Sequence, residues 1–253
     1  MLKALKTALQ KTAFHLNWTC TYCGREVFDD GFFCEECEKK LPFNDGDICA
    51  HCGRSAPSPR EYCETCAGRL TAFDIGRSVF TYEGIAADLI KKFKYENARY
   101  LAEVFAPLLV AVYRRALPAA DAVVFVPMYK KDLRRRGYNQ TELLAQAFSR
   151  LTGVEKLTAA EKRRSMKKQV DLGRKTRLEN TENAFRIVDK KAVAGKNILI
   201  LDDVTTTGAT ANSLARELKK SGAAKVYLLT LASVSSEKKS ENQRESGLLS
   251  EKE

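Results

Sequence analysis

Ile198-Leu-Ile-Leu-Asp202-Asp203-Val-Thr-Thr-Thr-Gly208-Ala-Thr210 decides the fold. Four apolar residues in a row read as a buried strand of a parallel sheet. Two acids follow at its carboxyl end, where open α/β sheets bind their ligands. A loop of small residues then runs into a helical pattern, Ala209–Ser221, with Leu214 and Leu218 on one face and Gly222 just past its end. Backbone amides and hydroxyls at such a helix start form an anion cradle suited to a phosphate. The adjacent carboxylates suit hydrogen bonds from two vicinal hydroxyls. Phosphate and diol together describe a ribose 5-phosphate. A strand–loop–helix with one acidic cap is the plain alternative. It accounts for a single aspartate, not for two with three threonines and a glycine.

Outward from this stretch, strands and helices alternate. Phe73–Tyr82 alternates loosely and ends near Gly84, a strand leading into a turn. Ile85–Tyr95, Ala98–Leu117 and Thr141–Leu151 carry apolar residues at helical spacing. Ala122–Val126 is a short apolar run stopped by Pro127, and Ala184–Val188, Asn197–Leu201 and Val226–Ala232 read as further strands. The expected class is α/β, a parallel sheet flanked by helices, over residues 71–232. Residues 1–18 read as an amphipathic helix. Residues 233–253, rich in Ser, Glu and Lys, are expected to be disordered.

All eight cysteines lie in the first 66 residues as four C-x-x-C pairs: Cys20/Cys23, Cys34/Cys37, Cys49/Cys52 and Cys63/Cys66. A shift of 29 residues maps the first two pairs onto the last two, and Cys23-Gly-Arg25 repeats as Cys52-Gly-Arg54. Residues 19–70 therefore read as a duplicated zinc ribbon with two structural Zn²⁺ ions. Each C-x-x-C turn offers two thiolates to a tetrahedral ion, and four thiolates leave no open position for catalysis. Disulfides are the rival reading; a reduced compartment and the close spacing oppose them. Pairing within each repeat is simpler, and an interleaved arrangement stays open. His51, inside Cys49-Ala-His-Cys52, reads as a bystander. A stretch this poor in large apolar residues should fold only with metal, so chelation is expected to melt residues 19–68 and leave the rest folded.

The net charge is +11. It is concentrated: Lys130–Arg177 holds 15 basic and 5 acidic residues. Such an excess suits a polyanion, phosphorylated metabolite or nucleic acid, against the alternative of a solvated basic face. Lys3, Lys6 and Lys11 interrupt the N-terminal leucines, so no signal-peptide core is present, and no apolar run reaches the ~18 residues a membrane span needs. The expected location is the cytoplasm.

The stretch Ile198–Thr210 resembles the phosphoribosyl pyrophosphate (PRPP) motif of type I phosphoribosyltransferases. With the double C-x-x-C ribbon, Arg136-Gly-Tyr-Asn-Gln140, and the pattern of Gln169, Leu172, Arg177 and Asn180 ahead of Ala184-Phe185, the chain to about residue 232 is similar to the ComF competence-protein family (ComFC/GntX-like). The resemblance implies that Asp202 and Asp203 hold the ribose hydroxyls, indirectly supporting a Mg²⁺ on the other face of the sugar. It implies that Thr206, Thr207, Gly208, Ala209 and Thr210 wrap the 5-phosphate. Pro127 and Met128 would form the pyrophosphate loop with Lys130 or Lys131. Residues 161–180 would be a mobile loop closing on pyrophosphate through Arg163, Arg164, Gln169, Arg177 and Asn180.

Two functions follow from the resemblance. One is a PRPP-binding protein that handles incoming single-stranded DNA during natural transformation, beside a competence helicase or DNA-uptake protein. Arg134, Arg135, Arg136 and Tyr138 are then the candidate nucleic-acid contacts, with Tyr129 as a second stacking ring. Core packing is the alternative for both tyrosines. The other function is a phosphoribosyltransferase acting on a small amine or nucleobase. The ribbons stand where transferases of this class carry a base-reading hood, and nothing in them recognisably reads a base. An amidophosphoribosyltransferase hydrolyses glutamine with an N-terminal cysteine, whereas Cys20 is internal.

Overall fold

The computed structural model describes residues 19–27, 31–56, 62–67, 71–163 and 184–235. The expected helix at 1–18 lies outside them, and so does the tail beyond residue 235. The duplication is visible in the backbone. Thr19 bridges Glu26 and Ile48 bridges Ser55, and the bonds Cys20 N–H to Arg25 and Cys49 N–H to Arg54 are equivalent under the same shift. Each second C-x-x-C lies on a short helix, α1 (Glu35–Lys39) or α2 (Glu64–Ala67).

The remainder is β1 (Ile75–Thr81), α3 (Gly84–Tyr95), α4 (Leu101–Ala116), β2 (Ala122–Phe125), α5 (Lys130–Arg136), α6 (Gln140–Thr152), β3 (Glu155–Leu157), β4 (Ala160–Lys162), β5 (Phe185–Ile187), α7 (Lys190–Val193), β6 (Asn197–Thr205), α8 (Ala209–Lys220) and β7 (Lys225–Ser233). Five strands form one parallel sheet in the order β1-β7-β6-β2-β3, and β4 pairs antiparallel with β5.

Alternation along the strands divides the core between the two faces. Val123, Phe125, Leu199, Leu201 and Leu229 pack with α3, α4 and α6 through residues such as Leu89, Phe105 and Phe148. Val124, Ile198, Ile200 and Leu228 pack with Leu214 and Leu218 of α8 and with Phe185. The first ribbon joins the former cluster through Cys20, Phe32, Phe33 and Cys37; the second joins the latter through Cys49, Cys52 and Cys63. The chain between them lies along β1. Asn44 N–H donates to Val79 O at 2.9 Å, Thr81 N–H to Pro42 O at 2.8 Å, and Gly76 N–H to His51 O at 2.6 Å. Phe43 bridges Phe80, with ring centroids 5.2 Å apart.

Three features differ from the sequence reading. The strand expected to stop at Leu201 continues to Thr205, because β7 is long enough to pair Asp202 with Thr230 and Val204 with Ala232. Residues 130–136 form a helix closed by Gly137 in the left-handed region at φ 81°. Leu133 is their single large aliphatic residue, so no periodicity announced it; Arg134, Arg135 and Arg136 favour its negative C-terminal end. The three-residue strands β3 and β4 are too short to show a pattern.

Candidate phosphoribosyl site

β6 sets Asp202 and Asp203 on neighbouring positions at the end of the buried sheet, 8% and 5% exposed. Their side chains point to opposite faces and meet different partners. Asp203 accepts from Lys94 Nζ of α3 at 2.7 Å through one oxygen and from Gln140 Nε2 of α6 through the other. Gln140 is held in turn by Arg136, whose Nη1 donates to its Oε1 at 2.6 Å. Among the described residues, the Asp202 carboxyl takes only the Asp203 N–H, at 2.9 Å. Burial first, and then the charge of Asp203, pushes its pKa up to about 7, while Lys94 and Lys162 pull against that rise. Burial holds the Lys162 ammonium below its usual range. The two acids are therefore unequal: Asp203 anchors a polar network, and Asp202 has an oxygen to offer.

The Arg136–Gln140 motif acquires a physical reason at every position. Arg136 orients Gln140, and Gly137 turns the chain. Tyr138 packs inward. Asn139 caps α6 through the Thr141 N–H at 3.2 Å, and with Thr141 Oγ1 it also ties down the Val126 carbonyl, at 3.2 and 2.7 Å. Gln140 meets Asp203. The motif thereby fixes the exit of β2, where Pro127 and Met128 lead into α5. Lys130 and Lys131 stand exposed on the first turn of that helix.

After Thr205 the chain turns through Thr206, Thr207 and Gly208 into α8. Gly208 sits at φ 76°, a conformation L side chains rarely adopt, and as the N-cap residue it offers the helix no side chain. Thr207 Oγ1 accepts from Ala209 N–H at 3.2 Å. The first-turn amides beyond it lack intrahelical partners by construction of a helix, and they lie beside the exposed Thr206 and Thr207. From the second ribbon, Arg54 Nη2 donates to the Thr206 carbonyl at 2.7 Å.

Lys94, Lys162 and Arg54 were not singled out in the sequence. Lys94 is read only through its tertiary contact; Lys162 lies one residue before the Arg163 chosen there. Arg163 is exposed, with its N–H on Ala184 O at 2.9 Å, and Glu161 and Lys162, the first residues of the segment 161–180 expected to be mobile, are paired in β4 with β5. Arg164, Gln169, Arg177 and Asn180 lie outside the described residues.

Arg134 and Arg135 are exposed on α5, with Arg135 3.6 Å from Asp132. Tyr138 is not available for stacking: it is 6% exposed, its hydroxyl donates to Phe93 O, and the Arg99 guanidinium lies 4.7 Å from its ring centroid. Core packing wins at this position because the ring fills the gap beside Phe93. The exposed rings nearby are Tyr95, 72% accessible with Arg136 over it at 5.2 Å, and Tyr100, 54% accessible.

The cysteines gather as Cys20, Cys23, Cys34 and Cys37, and as Cys49, Cys52, Cys63 and Cys66, with all four sulfurs of each set within 4.8 Å of one another. Pairing is thus within each repeat. Cys23 and Cys34 sulfurs lie 3.8 Å apart and Cys52 and Cys63 sulfurs 3.7 Å. A tetrahedron with Zn–S arms of about 2.3 Å has edges of about 3.8 Å, so both sets fit zinc. His51 stacks on Phe73 and bonds the Thr71 hydroxyl, outside either set.

Comparison with known proteins agrees with both halves. Residues 16–67 match the double zinc ribbon domain, and residues 134–252 match the phosphoribosyl transferase domain. Competence protein F of Haemophilus influenzae is 34% identical over 151 residues, which span 57% of this chain and 66% of that protein. The DNA utilization protein YhgH of Escherichia coli K12 is 32% identical over 160 residues, 61% of this chain and 70% of that protein. Competence protein ComFC of Bacillus subtilis is 28% identical over 157 residues, 61% of this chain and 62% of that protein. Among the described residues no helix is long and apolar enough to cross a membrane.

Proposed function

The chain belongs to the ComF family of competence proteins, and from that premise we propose that it binds PRPP and handles single-stranded DNA in natural transformation. The observation that carries the first part is the junction of β6 and α8, where a buried carboxylate and a helix start with a glycine N-cap lie one short loop apart. Asp202 accepts from a ribose hydroxyl, while Asp203, already bonded to Lys94 and Gln140, holds the strand end rigid and takes the second hydroxyl only by exchanging a donor. Thr206 to Thr210 surround the 5-phosphate. The pyrophosphate end, with its Mg²⁺, lies towards Pro127, Met128, Lys130, Lys131 and the segment that begins at Lys162 and Arg163.

For the DNA, support comes from relatives named for competence and DNA utilization, from the exposed Arg134 and Arg135 of α5, and from the open ring of Tyr95 against Arg136. Guanidinium groups bind the backbone, and an exposed tyrosine offers a face to a base. A competence helicase or DNA-uptake protein is the protein partner this reading implies.

Calorimetric titration with PRPP and Mg²⁺ tests the first part. Wild type should bind, and replacing both Asp202 and Asp203 by alanine should weaken binding on the order of a hundredfold, two hydrogen bonds to charged groups being worth ~1.5–3 kcal/mol each. Unchanged affinity with intact zinc content refutes the site. Pyrophosphate release on adding an amine or a nucleobase would instead mark a catalytic phosphoribosyltransferase.

A further inference from the structure

The duplicated ribbon contains its own comparison. Arg25 and Arg54 are equivalent under the 29-residue shift, and so are Glu36 and Thr65. In the first repeat, Arg25 Nη1 pairs with Glu36 Oε2 at 3.0 Å on the open surface. In the second, a threonine replaces the acid, and the arginine turns inward to 2% exposure. Its Nη2 donates to the Thr206 carbonyl, while Nε and Nη1 have no partner among the described residues. The buried Thr205 hydroxyl beside that carbonyl also has none. The neighbouring glycines repeat the contrast. A Cβ on Gly24 would meet nothing within 4 Å, whereas one on Gly53 would lie 2.4 Å from Gly76 O. The second ribbon is pressed onto β1, and that contact delivers Arg54 to the loop.

A buried guanidinium without an anion is costly and marks a place where one is expected. Its bond to Thr206 also has a directional effect. In a trans peptide the carbonyl and the following N–H point oppositely, so drawing the Thr206 carbonyl towards Arg54 turns the Thr207 N–H the other way.

We propose that Arg54 is the positioning residue of the Thr206–Thr210 cradle, and that through it the second zinc ribbon sets the cradle's affinity for a phosphate monoester. This rests on the reading of that loop as the 5-phosphate site. A rival role is countercharge to the zinc centre, since four thiolates on Zn²⁺ leave a net charge of about −2. Arg77 already stands beside that centre, its Nη1 donating to the Ala50 and Gly76 carbonyls.

The test titrates the zinc-loaded chain and Arg54→Gln with ribose 5-phosphate and with pyrophosphate, and counts zinc per chain. Ribose 5-phosphate affinity should fall about tenfold in the variant, the loss of one charge-assisted bond, with pyrophosphate affinity and two zincs unchanged. Unchanged ribose 5-phosphate affinity, or equal loss of both ligands, overturns the proposal. Loss of zinc with ribose 5-phosphate affinity intact assigns Arg54 to the metal instead. A second measurement needs no variant, because coupling is reciprocal. Saturating ribose 5-phosphate should raise the equilibrium affinity for one zinc of the two against a competing chelator, by the factor that the zinc gives to ribose 5-phosphate, and pyrophosphate should not; equal zinc affinity with and without ribose 5-phosphate overturns the coupling. A wild-type chain that binds no ribose 5-phosphate refutes the site reading itself and the inference with it.

Discussion

Asp202→Asn offers a test in which stability and ligand binding move in opposite directions. In the folded chain burial, and then the charge of Asp203, pushes the carboxyl's pKa up to about 7 from an ordinary value of 3.8. Raised folded pKa means that the neutral form is the one folding favours. The contribution of Asp202 to stability is therefore most favourable below about pH 4 and is lost as pH rises through 7. A rise of about three units, at 1.36 kcal/mol each, costs on the order of 4 kcal/mol once the group is ionised. Asparagine keeps the shape and the acceptor for the Asp203 N–H, and its unpaired amide returns roughly 1–3 kcal/mol of that gain. The net gain at pH 8 is about 1–3 kcal/mol, or about 2–12 °C in melting temperature for a chain of this size. Melts of the zinc-loaded proteins from pH 5 to 8 should converge at the acid end and separate at the basic end. Ribose 5-phosphate binding by wild type should weaken about tenfold per pH unit below 7, measured relative to the variant so that the ligand's own titration cancels. A variant no more stable than wild type at pH 8, or a difference independent of pH, refutes the account of Asp202.

Further outcomes follow from the packing. Gly53→Ala and Gly24→Ala share the cost of a positive φ, but only the former drives a Cβ into Gly76 O, so it should melt about 2–12 °C lower from ~1–3 kcal/mol of overpacking; equal melting temperatures would mean the ribbon is not seated on β1. Removal of zinc should destabilise the α/β domain as well as the ribbons, since cysteines from the two ribbons lie in the two cores, and protection of β6 amides from hydrogen exchange should fall with chelation. Neutralising Arg134 and Arg135 should weaken single-strand binding for all sequences alike and reduce the salt slope by about 0.7 per lost phosphate contact. Arg136→Gln should also disturb ribose 5-phosphate binding, through Gln140 and Asp203.

The duplication and the β6–loop–α8 unit were legible because each is written in contiguous residues: cysteine spacing for one, an apolar run with acids and small residues for the other. The limits appear where a contact crosses the chain. Lys94 reaches Asp203 and Arg54 reaches Thr206 only because the sheet and the ribbon bring them there. One local sign of Arg54 existed, the exchange of Glu36 for Thr65 between repeats. The arginines near residue 136 suggested stacking at Tyr138, but the core claimed that ring and left Tyr95 outside. The expectation that chelation melts residues 19–68 and leaves the rest folded assumed an independent ribbon module, whereas the ribbons share both cores, which is why a wider effect is expected.

The chain that runs along β1 has a consequence for the life of the protein. An outer strand offers a row of free amides and carbonyls to any passing extended segment, including one from another copy. Here residues 42 to 51 occupy three of those positions along the outer edge of the sheet, and Phe43 covers Phe80. A chain synthesised under zinc starvation, or one cut near residue 70, would expose that edge in whatever part of its weakened sheet still formed. The cost would be polymerisation, so the metal guards solubility at a strand that contains none of its ligands.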